Sequence, residues 1–405
     1  MHKFCRIAVA VALSIASISV LAQEIEADKD LPILAPESQH ATSTKRITAQ
    51  FTRAHYKKIK IDDSLSEQIF DRYIKQLDYA RNVFLASDVE RFAQYRDEFD
   101  TVIARGKLDI AYQIYNLNLQ RRLERYQYAL SLLENDQPFD FKLDESYNFD
   151  REEAQRPTSV TELNELWRKK VKYDALNLTL AGKEWEKIQE ILTKRYRYAI
   201  KRLKQSESED VFQIVMNSFA RVVEPHTSYL SPRNAERFQM EMNLSLEGIG
   251  AVLRAEEDYT VIQSVVSGGP ADKSKELKPK DRIVGVSQDD KDFVDVIGWR
   301  LDDVVELIKG PKGSKVRLQI LGAESEDDSS IKVVSIIRDT IKLEDRAAKS
   351  EVYDEKTFRY RYLQKSRGTH ASPVTVATKA SSSRNKEKNS VSSLFQVSIT
   401  TFLVM

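Results

Sequence analysis

Two different hydrophobic periods divide this chain. From Lys45 to about Arg237 apolar residues recur three and four apart, the spacing of helices that bury one stripe. Leu65, Ile69, Phe70, Tyr73, Ile74 and Leu77 form one such stripe, with Ser64 and Glu67 placed to make a capping box. Ser87 and Glu90 repeat that signature for the next helix. A long helix is predicted over Leu108–Glu134, where Leu119, Leu123, Tyr126, Leu130 and Leu133 keep helical spacing and Pro138 follows. Two more helices are predicted within Thr161–Leu203, broken near Gly182, and another over Asp210–Val223. The aromatics among them (Phe70, Tyr73, Phe92, Tyr112, Tyr115, Tyr126, Trp167, Trp185) read as fillers of a bundle core, and the interspersed Lys, Arg and Glu as its solvated face.

Beyond Leu246 the period changes. Val316, Leu318 and Ile320 alternate with Lys315, Arg317 and Gln319, which predicts a half-buried strand, and Ile331–Arg338 predicts another. Leu301, Val304, Val305 and Ile308 predict a short helix that stops at Gly310-Pro311. Gly268-Gly269-Pro270 is a turn able to start a helix. The expected fold class is therefore multidomain α and α+β: a helical N-terminal domain followed by a small α+β barrel or sandwich.

The two ends depart from both patterns. Lys3 and Arg6 precede an apolar run over Ile7–Leu21, and Val20-Leu21-Ala22 supplies small residues for cleavage, so residues 1–22 read as a secretory signal peptide cut after Ala22. Residues 23–44, polar and carrying Pro32 and Pro36, read as a flexible leader. At the other end, residues 356–405 hold nine Lys or Arg and only Glu387 as an acid, in patternless sequence expected to be disordered.

Charge and composition narrow the chemistry. The formal net charge is +1 over 405 residues, and outside the basic tail the mature chain is net acidic, so nucleic acid is not an expected partner. The one Cys, Cys5, falls in the signal peptide, which leaves no disulfide, thiol nucleophile or zinc–thiolate site. The five histidines (His2, His40, His55, His226, His370) lack ligand spacing. No metal site and no cofactor are expected.

The candidate binding chemistry lies in Gly248-Ile249-Gly250-Ala251. On residues alone, a bulge or tight turn is the simpler use of two glycines. The same residues can turn successive N–H groups inward as a nest for an anion such as a peptide's terminal carboxylate. The strand beginning at Ala251, with Val252 and Leu253, would then pair with an extended peptide, and Leu301, Val305 and Ile308 would form the opposite wall of an apolar groove. A dinucleotide loop is set aside, because the third glycine is missing and Glu247 precedes the first.

Taken in order, Leu246–Arg338 resembles the PDZ domain inserted in bacterial C-terminal processing peptidases, the tail-specific proteases. Glu224-Pro225-His226-Thr227-Ser228-Tyr229-Leu230 is similar to the family's D-P-H-T-x-Y-L signature, with Glu224 where the family has Asp. Thr340–Ala348 resembles the usual exit from the PDZ module. The resemblance spans roughly Lys45 to Tyr353. It implies a helical N-terminal domain at 45–240, a PDZ domain at 241–345 and the start of a linker at 346–355.

It further implies a periplasmic serine endopeptidase with a Ser-Lys dyad that reads apolar C-terminal tails of exported proteins. An envelope lipoprotein adaptor and an association with the inner membrane are also implied. Leu246 and Leu343, at the module's two junctions, are expected hinge residues. No catalytic residue carries over: Ser381-Ser382-Ser383, Lys379, Lys386 and Lys388 sit in sequence with no enclosure to depress a lysine pKa. The chain is thus expected to end before the protease core, to be inactive alone, and to finish in what resembles out-of-frame translation. Two other readings stand beside this one: a non-catalytic PDZ adaptor or competitor, and a basic tail that binds anionic surfaces.

Overall fold

The computed structural model describes residues 31–57, 59–134, 139–289, 291–323 and 331–342, and the backbone alone over 349–355, 358–364, 374–378 and 402–403. The chain forms two compact units, Met1–Tyr229 and Leu230–Met405.

The first unit is helical. Its described helices are α1 Ser38–Ala49, continued by a π turn at Gln50–Ala54, then α2 Asp63–Leu77, α3 Ala86–Ala93, α4 Phe99–Arg105, α5 Asp109–Leu133, α6 Val160–Leu180, α7 Trp185–Lys204 and α8 Ser208–Val223. The apolar stripes meet as their spacing requires. Leu163, Trp167, Val171, Ile188, Leu192 and Tyr196 share one cluster with Ala129 and Leu133. Trp167 Nε1 reaches Asn82 O at 2.6 Å, and Tyr73, fully buried, donates its hydroxyl to Ala111 O at 2.8 Å. A buried Tyr or Trp usually finds a partner for its polar end in this way.

Caps depart from the sequence reading. Asp62, not Ser64, opens α2, its carboxylate accepting the Leu65 N–H at 3.1 Å. At α3 Asp88, not Glu90, returns to the Leu85 N–H at 3.0 Å. In both places an acid one or two residues away has the better reach to the orphan N–H. The short α4 gave no stripe to read. It ends at Gly106, φ +69°, whose Cα lies so close to the Ala41 carbonyl that a Cβ would meet that oxygen at 2.6 Å.

The leader expected over 23–44 is corrected in its second half. Leu31 and Leu34 pack beside Leu119, Leu123 and Leu203. Asn116 clamps Leu34 through both backbone groups, at 3.1 and 2.9 Å. His40, wholly buried, accepts the Glu37 N–H on Nδ1 at 3.1 Å, which leaves its proton on Nε2, aimed at Glu209 Oε2 at 3.0 Å. Its ring stacks on Phe212, with centroids 4.3 Å apart and planes 5° apart. Buried polar groups fully partnered in this way fix a segment's place. The signal peptide and residues 23–30 lie outside the described residues.

The segment that carries the family signature is a turn. The Glu224 carboxylate accepts the His226 N–H at 2.8 Å and the Thr227 hydroxyl at 3.0 Å, and Asn217 brackets the Tyr229 backbone at 2.9 and 3.2 Å. His226 is mostly exposed and, among the described residues, its ring pairs with Glu224.

The second unit opens with α9 Pro232–Asn243 and β1 Ser245–Gly248, followed by β2 Ala251–Glu256, β3 Tyr259–Val265, the short α10 Pro270–Ser274, β4 Arg282–Gln288, β5 Val294–Asp295, α11 Leu301–Ile308, β6 Lys315–Leu321, β7 Ile331–Ile337 and β8 Asp339–Lys342. One antiparallel sheet runs β2-β3-β4-β6-β7, with β5 on β4, and β1 pairs separately with β8. The alternation read in β6 holds: Val316, Leu318 and Ile320 are buried. They join Ile262, Ile283, Val286, Val304, Ile308, Val334 and Ile336 in a single core. Further on, the backbone is extended in a three-stranded antiparallel ribbon over Lys349–Glu355, in the expected linker, and Phe358–Gln364 and Val374–Thr378, beyond it. The rest of residues 356–405, apart from 402–403, lies outside the described residues.

Candidate peptide-binding site

Among the described residues β2 lies at the end of its sheet, paired on one side, with β3. An unpaired edge presents a ladder of backbone groups that an extended chain can complete. α11 packs beside it, since Leu307 of the helix and Ala251 and Leu253 of the strand pack on the same core cluster. Between strand and helix lies the groove.

The loop Gly248-Ile249-Gly250 closes one end of that groove. Its carbonyls are engaged: Ile249 O accepts the Ala271 N–H at 2.8 Å and Gly250 O the Val266 N–H at 2.8 Å. Its N–H groups are not. Among the described residues, neither the Ile249 nor the Gly250 N–H donates to a protein acceptor. Gly250 takes φ +74°, and a Cβ there would meet Gly269 Cα and Ile341 Cγ1 at 3.4 Å. Two adjacent donors turned away from the protein's own acceptors fit an anion, and α10 begins beside them at Gly269-Pro270.

Two further supports fix the walls. Arg338, buried to 2 % exposure, gives its guanidinium to Ile308 O at 2.8 Å, Leu307 O at 3.1 Å, Gln288 Oε1 at 2.7 Å and the Ser314 hydroxyl at 2.9 Å. It thereby satisfies the orphan carbonyls at the C-terminus of α11 with a cation, the sign that the helix dipole favours. Burial pulls its pKa down, with Asp289 opposing. On the other side of α11, α9 supplies Arg233 to Asp303 at 2.6 Å, Arg237 to Asp302 at 3.3 Å and Glu236 to Lys309 at 3.8 Å.

A glycine loop with free donors, an open strand edge and a facing helix come after a helical unit whose last residues, Glu224–Tyr229, form the signature turn. Residues 47–233 match the family Tail specific protease N-terminal domain, and residues 237–321 match the family PDZ domain. The chain carries a tail-specific protease N-terminal domain followed by a PDZ domain. Over 323 residues, 80 % of the chain, it is 47 % identical to the tail-specific protease of Haemophilus influenzae, of which that stretch is 46 %. It is 34 % identical over 123 residues, 30 % of the chain and 24 % of the relative, to the carboxy-terminal processing protease CtpA of Bacillus subtilis. A solved PDZ domain of the carboxy-terminal protease of Vibrio cholerae, in complex with peptide, is 62 % identical over 25 % of the chain and all of its own, with a TM-score of 0.24. The chain thus spans less than half the length of these two curated relatives.

Within the PDZ domain the expected site residues divide. Gly248, Ile249, Gly250 and Ala251 do form the loop, but Ile249 turns its side chain into the core at 3 % exposure, so only its backbone faces a ligand. Val305 and Leu301 are half-buried, as a groove wall requires. Ile308 is a correction: at 4 % exposure it belongs to the core beside Val304. On β2 the alternation separates Leu253, packed on the core cluster, from Val252, 42 % exposed on the other face. Val252 is therefore corrected from groove to outer face.

Of the expected hinge pair, Leu246 stands opposite Ile341 in the β1–β8 ladder, and Leu343 lies outside the described residues. Ile341 is the residue that sequence reasoning missed: 4 % exposed, it touches the Gly250 position and faces Leu246. Arg338 was missed too, although alternation from Val334 and Ile336 already puts it on the inward face.

Among the described residues no group of His, Cys, Asp or Glu could hold a metal ion, and no helix is long and apolar enough to cross a membrane. A separate cleft of about 470 Å³, lined by Lys273, Lys312, Arg338 and Asp339 among others, holds none of the loop residues.

Proposed function

We propose that this chain is the peptide-reading portion of a periplasmic tail-specific serine endopeptidase, and that its PDZ domain captures exported proteins by an apolar C-terminus. The observation that carries the reading is the pair of unengaged N–H groups at Ile249 and Gly250, set at the head of an unpaired strand edge. The terminal carboxylate sits on the loop, the peptide backbone extends the sheet antiparallel to β2, and its last side chain enters between Leu253 and the Leu301–Val305 face of α11. Placement in the periplasm rests on the charged start and apolar run of residues 1–22. Cleavage is assigned to residues outside this chain, so the chain itself binds and does not cut.

The test uses the mature chain with one peptide ending in apolar residues, as free acid and as C-terminal amide. Calorimetry shows the acid binding and the amide at least about tenfold weaker, the cost of leaving a charged contact unmade. Mass spectrometry of the same samples shows intact peptide. Equal binding of acid and amide overturns the carboxylate reading, and cleavage overturns the assignment of chemistry elsewhere.

A further inference from the structure

The groove has a second end. A peptide whose carboxylate lies at Gly248–Ala251 runs antiparallel to β2 and passes Glu256 after the six residues of the strand. There a strap of chain meets the turn that follows β2. Gly298, φ +80°, donates its N–H to Asp258 O at 2.7 Å, tying the segment that leads into α11 to the turn that follows β2. Val296 is buried and anchored to Val284 O at 3.1 Å, while its neighbours Ile297 and Trp299 remain 43 % and 44 % exposed. A tryptophan so exposed, rigidly placed by the Val296 O to Trp299 N–H bond at 3.2 Å, is a contact surface rather than a core filler.

We infer that Ile297 and Trp299 form an upstream subsite that reads a bulky apolar side chain about seven residues before the terminal carboxylate. This deepens the peptide-binding reading and rests on it. Six residues at about 3.3 Å each carry an extended peptide the length of β2, so the seventh is the first to leave the ladder and meet the strap. Leu301, the first residue of α11 and part of the groove wall, follows Trp299 by two positions in the chain. Specificity is thereby divided along the ligand: the loop reads the carboxylate, the strand–helix groove the last side chain, and the strap a residue about one strand-length away.

The test uses the full chain and three peptides sharing one apolar C-terminal tetrapeptide: the tetrapeptide itself, a nonapeptide with Phe at the seventh position from the C-terminus, and the same nonapeptide with Ser there. The Phe nonapeptide binds about tenfold tighter than the tetrapeptide, as covering one aromatic side chain implies, and the Ser nonapeptide gains little. Trp299→Ala removes the gain and leaves tetrapeptide affinity unchanged, which also shows that the variant is folded. With the chain labelled with fluorotryptophan, of its three tryptophans (Trp167, Trp185, Trp299) only the Trp299 signal moves with the Phe nonapeptide. Equal affinities of the three peptides, or a gain that survives Trp299→Ala, overturns the subsite alone. Binding of none of them overturns the carboxylate reading and the subsite together.

Discussion

Gly250 shows how much one residue decides. It holds φ +74°, a region that costs an L side chain about 1–2 kcal/mol, and a Cβ would press on Gly269 and Ile341 at 3.4 Å. Gly250→Ala should weaken binding of an apolar peptide acid by about tenfold or more, because the loop shifts its donors, while lowering thermal stability by only a few degrees; titration beside a melting curve checks both. The glycine was legible in the sequence as a residue needing special backbone. Its neighbours Gly269 and Ile341 were not, since they lie 19 and 91 positions further on and only the folded chain brings them together. His40 teaches the opposite lesson. Nothing in its spacing marked it, and its place between Glu37, Glu209 and Phe212 depends on two stretches of chain about 170 residues apart.

At the scale of elements, α11 separates core from groove within eight residues. Val304 and Ile308 are fully buried, and Val305 is half-buried. Val305→Asp should therefore reduce peptide affinity with little change in unfolding free energy, whereas Ile308→Ala should cost about 2–4 kcal/mol of PDZ stability through the cavity it leaves. Urea unfolding and calorimetry on both variants distinguish the roles, and a large stability loss in Val305→Asp would place that residue in the core instead. The helical stripe of Leu301, Val304, Val305 and Ile308 was plain in the sequence. Period alone cannot say which part of an apolar stripe meets the sheet and which faces an open groove, because both are hydrophobic. Strands were legible where one face is buried, as in β6. Helices without a stripe, such as α4, were not, and caps were misplaced because several acids and serines compete for the same orphan N–H groups.

The whole molecule is two units with separate cores, and its acid response follows from where its carboxylates are held. Hydrogen bonds from Arg168 and Lys172 hold the Glu145 carboxyl at about 2, well below its ordinary 4.5. A group whose pKa is lowered by folding contributes its stability in full above the unfolded value and loses it as pH falls through the folded one. The helical unit should therefore weaken progressively from about pH 4.5 toward 2. Glu145→Gln should be less stable at neutral pH and flatter across that window, read by thermal melts as a function of pH. At this scale the sequence told more than at any other. The change of hydrophobic period near Leu246 marked the second unit to within about 20 residues of its start at Leu230. What it could not show is that the first unit reaches back to Leu31, because the leader's polar composition hides side chains that are pinned one at a time.

The β1–β8 ladder sets Ser245 opposite Lys342 as cross-strand partners. The two ends of the PDZ fold therefore leave it side by side, about 5 Å apart. Such a fold is a cassette. Residues 245–342, spliced into the tip of a β-hairpin in an unrelated protein, should fit without opening a gap in the host. The transplanted cassette would carry loop, groove and strap together, and would leave behind α9 with its ion pairs to Asp302, Asp303 and Lys309.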